Sequence, residues 1–297
     1  MNTQKPLAHR VPHPNQRLAR KCVTLVAGFR CKNGVVLCAD SQHTGQYIKF
    51  VAPKVWTDRN RSIIAGACTD VVYLKMAVDE VIEQFESLTQ WTESSVRKAI
   101  SDAIGKVYKA IRKGFDMKDR DRPQLFLMVS VRLDDWKAIL VKTAETAVAL
   151  VDDFDFIGVG DEVARLLISP FYDGNLRVTE MQTIAAYCFR YAKATGSFCG
   201  GYTHIGVVFD GDPDAHYAHP AYVNHDRETV TDHILSGLAP ALSAAWNVNV
   251  DREEFENRLT NLTSWLRLLR EWQEKVSRPD VFISSPSKPS REGSSQS

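Results

Sequence analysis

Two short apolar runs, Val23–Phe29 and Val35–Ala39, are separated by Lys32, Asn33 and Gly34. An Asn-Gly step between two such runs is a hairpin signal, because a tight turn needs backbone that glycine and asparagine tolerate. This pairing constrains the chain more than any other feature, since it commits the start of the domain to antiparallel sheet. Further short strands follow closely at Tyr47–Val51, Val55–Trp56 and Ser62–Ala67. No stretch between them is long enough for the crossover that parallel pairing requires.

Helical spacing takes over at Asp70. Val71, Leu74, Val78, Val81, Ile82 and Phe85 share one face, with Asp70 placed to cap it. A second helix is expected from Thr92 to Gly114, with Val96, Ile100, Ile104, Val107 and Ile111 as its apolar stripe. Its basic residues Lys98, Lys106, Lys109, Arg112 and Lys113 lie off that stripe and read as a solvated face. Strands return at Gln124–Val131, Lys137–Lys142, Ala147–Leu150 and Phe154–Gly158, with Asp134 and Asp135 in a turn. Helices follow at Asp161–Ile168 and Val178–Ala194, then a strand at His204–Phe209. Strands and helices thus come in blocks rather than alternating singly. That order predicts an α+β fold, a four-layer αββα sandwich of two antiparallel sheets flanked by helices.

Beyond residue 220 two more helices are expected, His225–Trp246 and Asp251–Val276. In the second, Phe255, Leu259, Leu262, Leu266, Leu269 and Val276 form an amphipathic stripe, broadened by Trp265 and Trp272, that suits docking on the body or on a neighbouring subunit. The organisation read here is a basic arm or propeptide over 1–23, a domain over 24–220, a C-terminal helical extension over 221–277 and a Ser- and Pro-rich disordered tail over 278–297.

Charge and cysteine usage narrow the function classes. The formal net charge of +1 argues against nucleic-acid binding. The first 21 residues are an exception, with Lys5, Arg10, Arg17, Arg20 and Lys21 and no acid. The six cysteines, Cys22, Cys31, Cys38, Cys68, Cys188 and Cys199, form no CxxC pair, which gives neither a zinc site nor a disulfide framework. Free thiols in apolar runs suit a reducing compartment. No apolar run reaches the length of a membrane span and the N-terminus lacks a signal-peptide core. A cytoplasmic protein is expected.

The segment from Thr24 to Ser41, TLVAGFRCKNGVVLCADS, resembles the start of a mature proteasome β-type subunit and of the bacterial HslV-type protease. Asp40 lies sixteen residues after Thr24, the spacing of that family. Pro53-Lys54-Val55 is similar to the family's lysine segment, and Ile63 to Asp70 to its Ala-Gly entry into the first helix. Ile157-Gly158-Val159-Gly160 resembles its Gly-Ser-Gly turn, and Cys199-Gly200-Gly201 a later Ser-Gly-Gly. The resemblance covers residues 24–211.

The resemblance implies an N-terminal-nucleophile hydrolase, a threonine-type peptidase acting on polypeptide in a homo-oligomeric ring, with no metal or organic cofactor. Thr24 would be the nucleophile and its freed α-amine the base, since a hydroxyl needs one at neutral pH. Lys54 would be the buried cation, Asp40 its partner, and the Gly66 N–H the oxyanion donor. The chain departs from the family pattern at three places. Val23 stands where active subunits carry glycine, Val159 replaces a serine, and Gly196 and Cys199 replace an aspartate and a serine. The departures keep a second reading open, a non-catalytic structural subunit on the same fold. Cys22 is a second candidate nucleophile, two residues too early for the Asp40 spacing.

Overall fold

The computed structural model describes residues 24–44, 49–58, 61–68, 70–114, 123–158, 161–195, 199–218 and 251–276. The expectations for the 1–23 arm with Cys22 and Val23, for Val159, Gly160 and Gly196, for the His225–Trp246 helix and for the 278–297 tail lie outside these residues.

The first sheet holds β1 (Leu25–Cys31), β2 (Gly34–Asp40), β10 (Phe154–Gly158), β11 (Thr203–Phe209) and β12 (Ala215–Ala218), in the order β10-β1-β2-β11-β12. The second holds β5 (Val55–Thr57), β6 (Ser62–Cys68), β7 (Leu125–Arg132), β8 (Ala138–Ala144) and β9 (Ala147–Leu150) in sequential order. A small hairpin pairs β3 (Gln42–Thr44) with β4 (Lys49–Val51). Every pairing is antiparallel. The strands β3 and β12 were not anticipated. Both are short, and their polar residues carry no apolar alternation to reveal them.

The β1–β2 hairpin turns on Lys32 and Asn33, with Cys31 facing Gly34. Gly34, not Asn33, carries the positive φ, at 151°. A Cβ there would lie 2.4 Å from the Val208 carbonyl oxygen, so the turn needs glycine to let β11 close on it. The Asn33 side chain instead accepts from the Val178 N–H at 2.9 Å and ties the turn to a helix.

Helices α1 (Val71–Glu86) and α2 (Glu93–Gly114) cover the second sheet. The Asp70 side chain caps α1 by accepting from the Val72 N–H at 2.8 Å, as its position in sequence predicts. The apolar stripes of both helices bury against Ile64, Leu127, Val129 and Val141. Helices α3 (Asp161–Ile168) and α4 (Val178–Thr195) cover the first sheet, packing Met181, Ala185 and Phe189 on Leu25, Ala27, Phe29 and Ile205. Between the sheets Val26, Val35 and Leu37 meet Ile63, Met128 and Leu140. Three apolar cores therefore separate four layers. The remaining described helix, α5 (Arg252–Val276), has no buried side chain among its described residues.

This layering places the end of β2, the start of β5 and the residue before β1 at one end of the two-sheet core. That is where the chemistry-bearing residues of the sequence converge.

Candidate active site

Thr24 immediately precedes β1, Asp40 ends β2 and Lys54 precedes β5. All three are polar and buried, at 3%, 0% and 2% exposure. Burying a carboxylate and an ammonium in an apolar core is costly unless each finds partners. Here each does. Asp40 Oδ1 accepts from the Thr24 hydroxyl at 2.6 Å, the Leu25 N–H at 3.0 Å and the Lys54 ammonium at 2.8 Å. Asp40 Oδ2 accepts from the Gly200 N–H at 3.1 Å.

The Lys54 ammonium donates to Thr24 Oγ1, to Asp40 Oδ1 and to the Gln42 carbonyl. An ammonium has three protons, so its capacity is used. Burial lowers the Lys54 pKa, and the Asp40 carboxylate opposes that fall. The Thr24 oxygen is thus held between a cation and a carboxylate. The cation favours developing negative charge on that oxygen, while Asp40 holds the cation in place.

Two glycines close the site. Gly158, paired with Leu25 at the end of β10, has φ 112°. A Cβ there would fall 1.9 Å from the Thr24 carbonyl oxygen, so only glycine lets β10 lie against the residue carrying the hydroxyl. The stretch from Cys199 to Tyr202 is stitched to the end of β2. Gln42 N–H donates to the Gly200 carbonyl at 3.1 Å, and Tyr202 N–H to Ser41 Oγ at 2.6 Å.

Of the four residues singled out in sequence, the structure brings Thr24, Asp40 and Lys54 into one hydrogen-bonded group. Gly66 is placed differently. Its N–H donates to the Lys54 carbonyl at 3.3 Å, and a Cβ on it would meet Leu74 and Leu127, in the core under α1. The Gln42 carbonyl, Gly158 and Gly200 were not assigned roles from sequence. Gly158 and Gly200 each fall within a glycine-containing motif at a strand boundary, which is the signal that locates them.

Cys199 stands where the family pattern has a serine. Its thiol donates to the Ala192 carbonyl at 3.2 Å, and burial pushes its pKa up to about 11. It is a neutral thiol turned back onto α4. His43 flanks the Lys54 side of the site and stacks on Phe50 at 5.1 Å. Burial, then the Lys54 charge, lowers its pKa to about 4. Among the described residues no cluster of His, Cys, Asp or Glu could hold a metal ion, and no helix is long and apolar enough to cross a membrane. Among the described residues Cys31, Cys38, Cys68, Cys188 and Cys199 form no disulfide.

No protein-family profile matches the chain. Among curated proteins, it is similar to the proteasome subunit alpha of Methanococcus maripaludis strain S2, 24% identical over 165 residues, covering 55% of this chain and 62% of that one. The proteasome subunit alpha of Methanococcus vannielii matches at the same identity and coverage, 24% over 165 residues. The chain thus spans 62% of the length of the curated relatives it matches. Solved structures match over more of the fold. Anbu (ancestral beta-subunit) from Yersinia bercovieri superposes with a TM-score of 0.58 at 9% identity, covering 73% of this chain and 97% of that one. An Anbu Gly-1 mutant from Hyphomicrobium sp. strain MC1 gives 0.55 at 12% identity, covering 73% and 96%. The class these findings define is the proteasome-like fold. Within it, the chain has distant sequence similarity to proteasome alpha subunits and a backbone like that of Anbu.

Proposed function

We propose that this chain is a proteasome-like N-terminal-nucleophile hydrolase subunit, a threonine-type endopeptidase whose nucleophile is Thr24 once the Val23–Thr24 bond is cut. One observation carries the reading. The buried Thr24 hydroxyl oxygen is contacted by the Lys54 ammonium, while its proton is donated to Asp40. A threonine at the start of a strand needs neither partner to fold. A buried lysine brought to a hydroxyl oxygen is an arrangement suited to a nucleophile.

In the uncut chain the Thr24 nitrogen is an amide and has no basic lone pair. Hydrolysis of the Val23–Thr24 bond frees an α-amine, whose pKa of about 7.7–8.0 leaves part of it neutral near pH 7. Thr24 Oγ then attacks a peptide carbonyl carbon, and its proton passes to the amine. The new ammonium returns that proton to the leaving amine as the C–N bond breaks, leaving an ester on Thr24. Water hydrolyses the ester and regenerates the hydroxyl. Lys54 stabilises charge on Oγ and Asp40 keeps Lys54 in position. Gly66 enters as oxyanion donor by exchanging its long bond to the Lys54 carbonyl for the substrate oxygen. The subunit works in a homo-oligomeric ring in the cytoplasm.

The test is intact mass and N-terminal sequencing of the purified full chain, followed by hydrolysis of a fluorogenic peptide. The expected mature chain begins at Thr24. Thr24→Ala removes hydrolysis, and Lys54→Ala lowers it by about 100-fold or more. A chain still joined through Val23 that assembles but hydrolyses no peptide sinks the catalytic reading. It would support a non-catalytic subunit with a structural or assembly role. The similarity of the sequence to proteasome alpha subunits, rather than to a named protease, is the observation favouring that second reading. Sedimentation at the mass of one chain would contradict the ring.

A further inference from the structure

Helix α5 contributes no side chain to the three apolar cores and carries apolar residues that they do not use. Leu259 and Leu266 are 45% and 47% exposed, and Phe255 and Leu262 beside them are half-buried. Their spacing is informative. Phe255, Leu259, Leu262 and Leu266 follow steps of four, three and four, and in sequence the same register reaches Leu269 and, past Gln273, Val276. Over these two heptads the spacing is that of a coiled-coil seam, with Trp265 and Trp272 flanking it at g positions. Written as heptads, Phe255 and Leu262 are d positions and Leu259 and Leu266 are a positions.

The flanking charges select the partner and its direction. In a parallel pair, residues at g face residues at e five positions on, which pairs Arg258 with Thr263 and brings no opposite charges together. In an antiparallel pair with the two-fold axis level with position 264, Leu262 of one copy meets Leu266 of the other, and Leu259 meets position 269. The same register sets Glu256 against the second copy's Arg270, twice by symmetry, and Thr263 against its own equivalent. Glu256 already pairs with Arg252 of its own helix at 2.8 Å, and Arg258 with Glu254, so the flanks are ordered along the helix. An apolar seam and a charge pattern that are both self-complementary under one two-fold rotation are what an isologous contact requires.

We infer that α5 pairs in antiparallel fashion with α5 of a second copy of this chain. The inference does not depend on Thr24 being a nucleophile. The contact adds a link between copies that lies outside the sheet-and-helix body. It acts either between neighbours in one assembly or between two assemblies.

The experiment uses the full chain carrying Thr263→Cys. Thr263 is exposed and lies where the two-fold axis brings its own equivalent closest. Mild oxidation should give an interchain disulfide dimer that the parent chain, with its native cysteines, does not give. Adding Leu259→Asp and Leu266→Asp should remove the dimer. Because those changes load the helix heavily, a gentler arm uses charge. Glu256→Arg or Arg270→Glu alone should lower the cross-linking yield about fivefold, since each acts twice across the axis, and the two together should restore it. Absence of the disulfide dimer in a folded Thr263→Cys chain would overturn the pairing, and so would single charge reversals that leave its yield unchanged. A disulfide dimer that the single reversals weaken and the double reversal fails to restore would overturn the antiparallel register. A mass in solution unchanged by the two Asp substitutions would show that a segment of the same chain covers the seam, which also overturns it.

Discussion

Asp40 and Asp155 lie on the two strands that flank β1, and each meets a lysine, but the surroundings differ. Asp40, on β2, is fully buried and takes its ammonium from a lysine that is 2% exposed. Asp155, on β10, opposes Gly28 and meets Lys142, which reaches across from the second sheet, at 2.6 Å. It also meets Arg165 of α3, whose guanidinium lies 5.3 Å from the Phe156 ring. The side chains of this second group are between 22% and 42% exposed. Burial pushes the Asp155 carboxyl up, but Lys142 and Arg165 outweigh it and the net shift is down. At Lys54 the balance is reversed, and burial wins over Asp40. One group fastens an edge strand and a helix to the sheets. The other keeps charges in an apolar core at a cost that stability alone does not explain, with a hydroxyl at its centre.

The largest expected difference comes from removing the two carboxylates. Asp40→Ala leaves the Lys54 ammonium buried beside an empty acceptor site, which costs about 3–5 kcal/mol. The measurement is the urea midpoint of the variant against the parent. A loss as small as that of the matching change at Asp155 would mean that Lys54 escapes to water, and the distinction between the two groups would fail.

Next in size is Gly158→Ala. A side chain there meets the Thr24 carbonyl at 1.9 Å and must adopt φ 112°. The expected loss is roughly 1–3 kcal/mol, and the Thr24 hydroxyl shifts from Asp40, so any peptide hydrolysis falls with it. Retained stability and activity would show that β10 can withdraw from the site, loosening the contrast with the rest of the sheet.

How much of this was legible in the sequence follows from the same physics. The αββα layering was readable because strand and helix periods differ and come in blocks. Helix α1 was readable to its cap, since Asp70 precedes a clean apolar stripe. The convergence of Thr24, Asp40 and Lys54 was suggested by spacing and family resemblance only. Nothing in the types of three polar residues says they are buried together. Gly66 marks the limit. Its place in an Ala-Gly motif points to an oxyanion donor, and the bond from its N–H to the Lys54 carbonyl, which that role must exchange, is set by a strand register that the motif does not contain. The strands β3 and β12 escaped because three or four mixed residues carry no period.

A smaller effect is expected at His43, on the Lys54 side of the buried group. Its folded pKa, lowered to about 4, lies below the unfolded value of about 6.5. Between these values the unfolded chain binds a proton that the folded chain refuses. Stability therefore falls as pH drops from about 6.5 to 4. His43→Phe should flatten that part of the stability curve, followed by urea unfolding at intervals between pH 4 and 7. An unchanged slope would place the acid sensitivity in another group.

The smallest change is expected at the half-buried cluster around Asp155. Asp155→Asn should cost under about 1 kcal/mol at pH 7, because solvent screens the pairs and Lys142 keeps its bond to the Phe156 carbonyl at 3.0 Å. The Asp155 pKa is depressed in the folded state, so its contribution is present above the unfolded value of about 3.9 and is lost as pH falls through the folded value. The parent and the variant should then converge in stability at low pH, and raising salt at pH 7 should narrow the gap between them. A gap that persists in strong salt would mean that Asp155 behaves as a buried charge, like Asp40. The edge of the sheet would then be as tightly desolvated as the corner that holds Thr24.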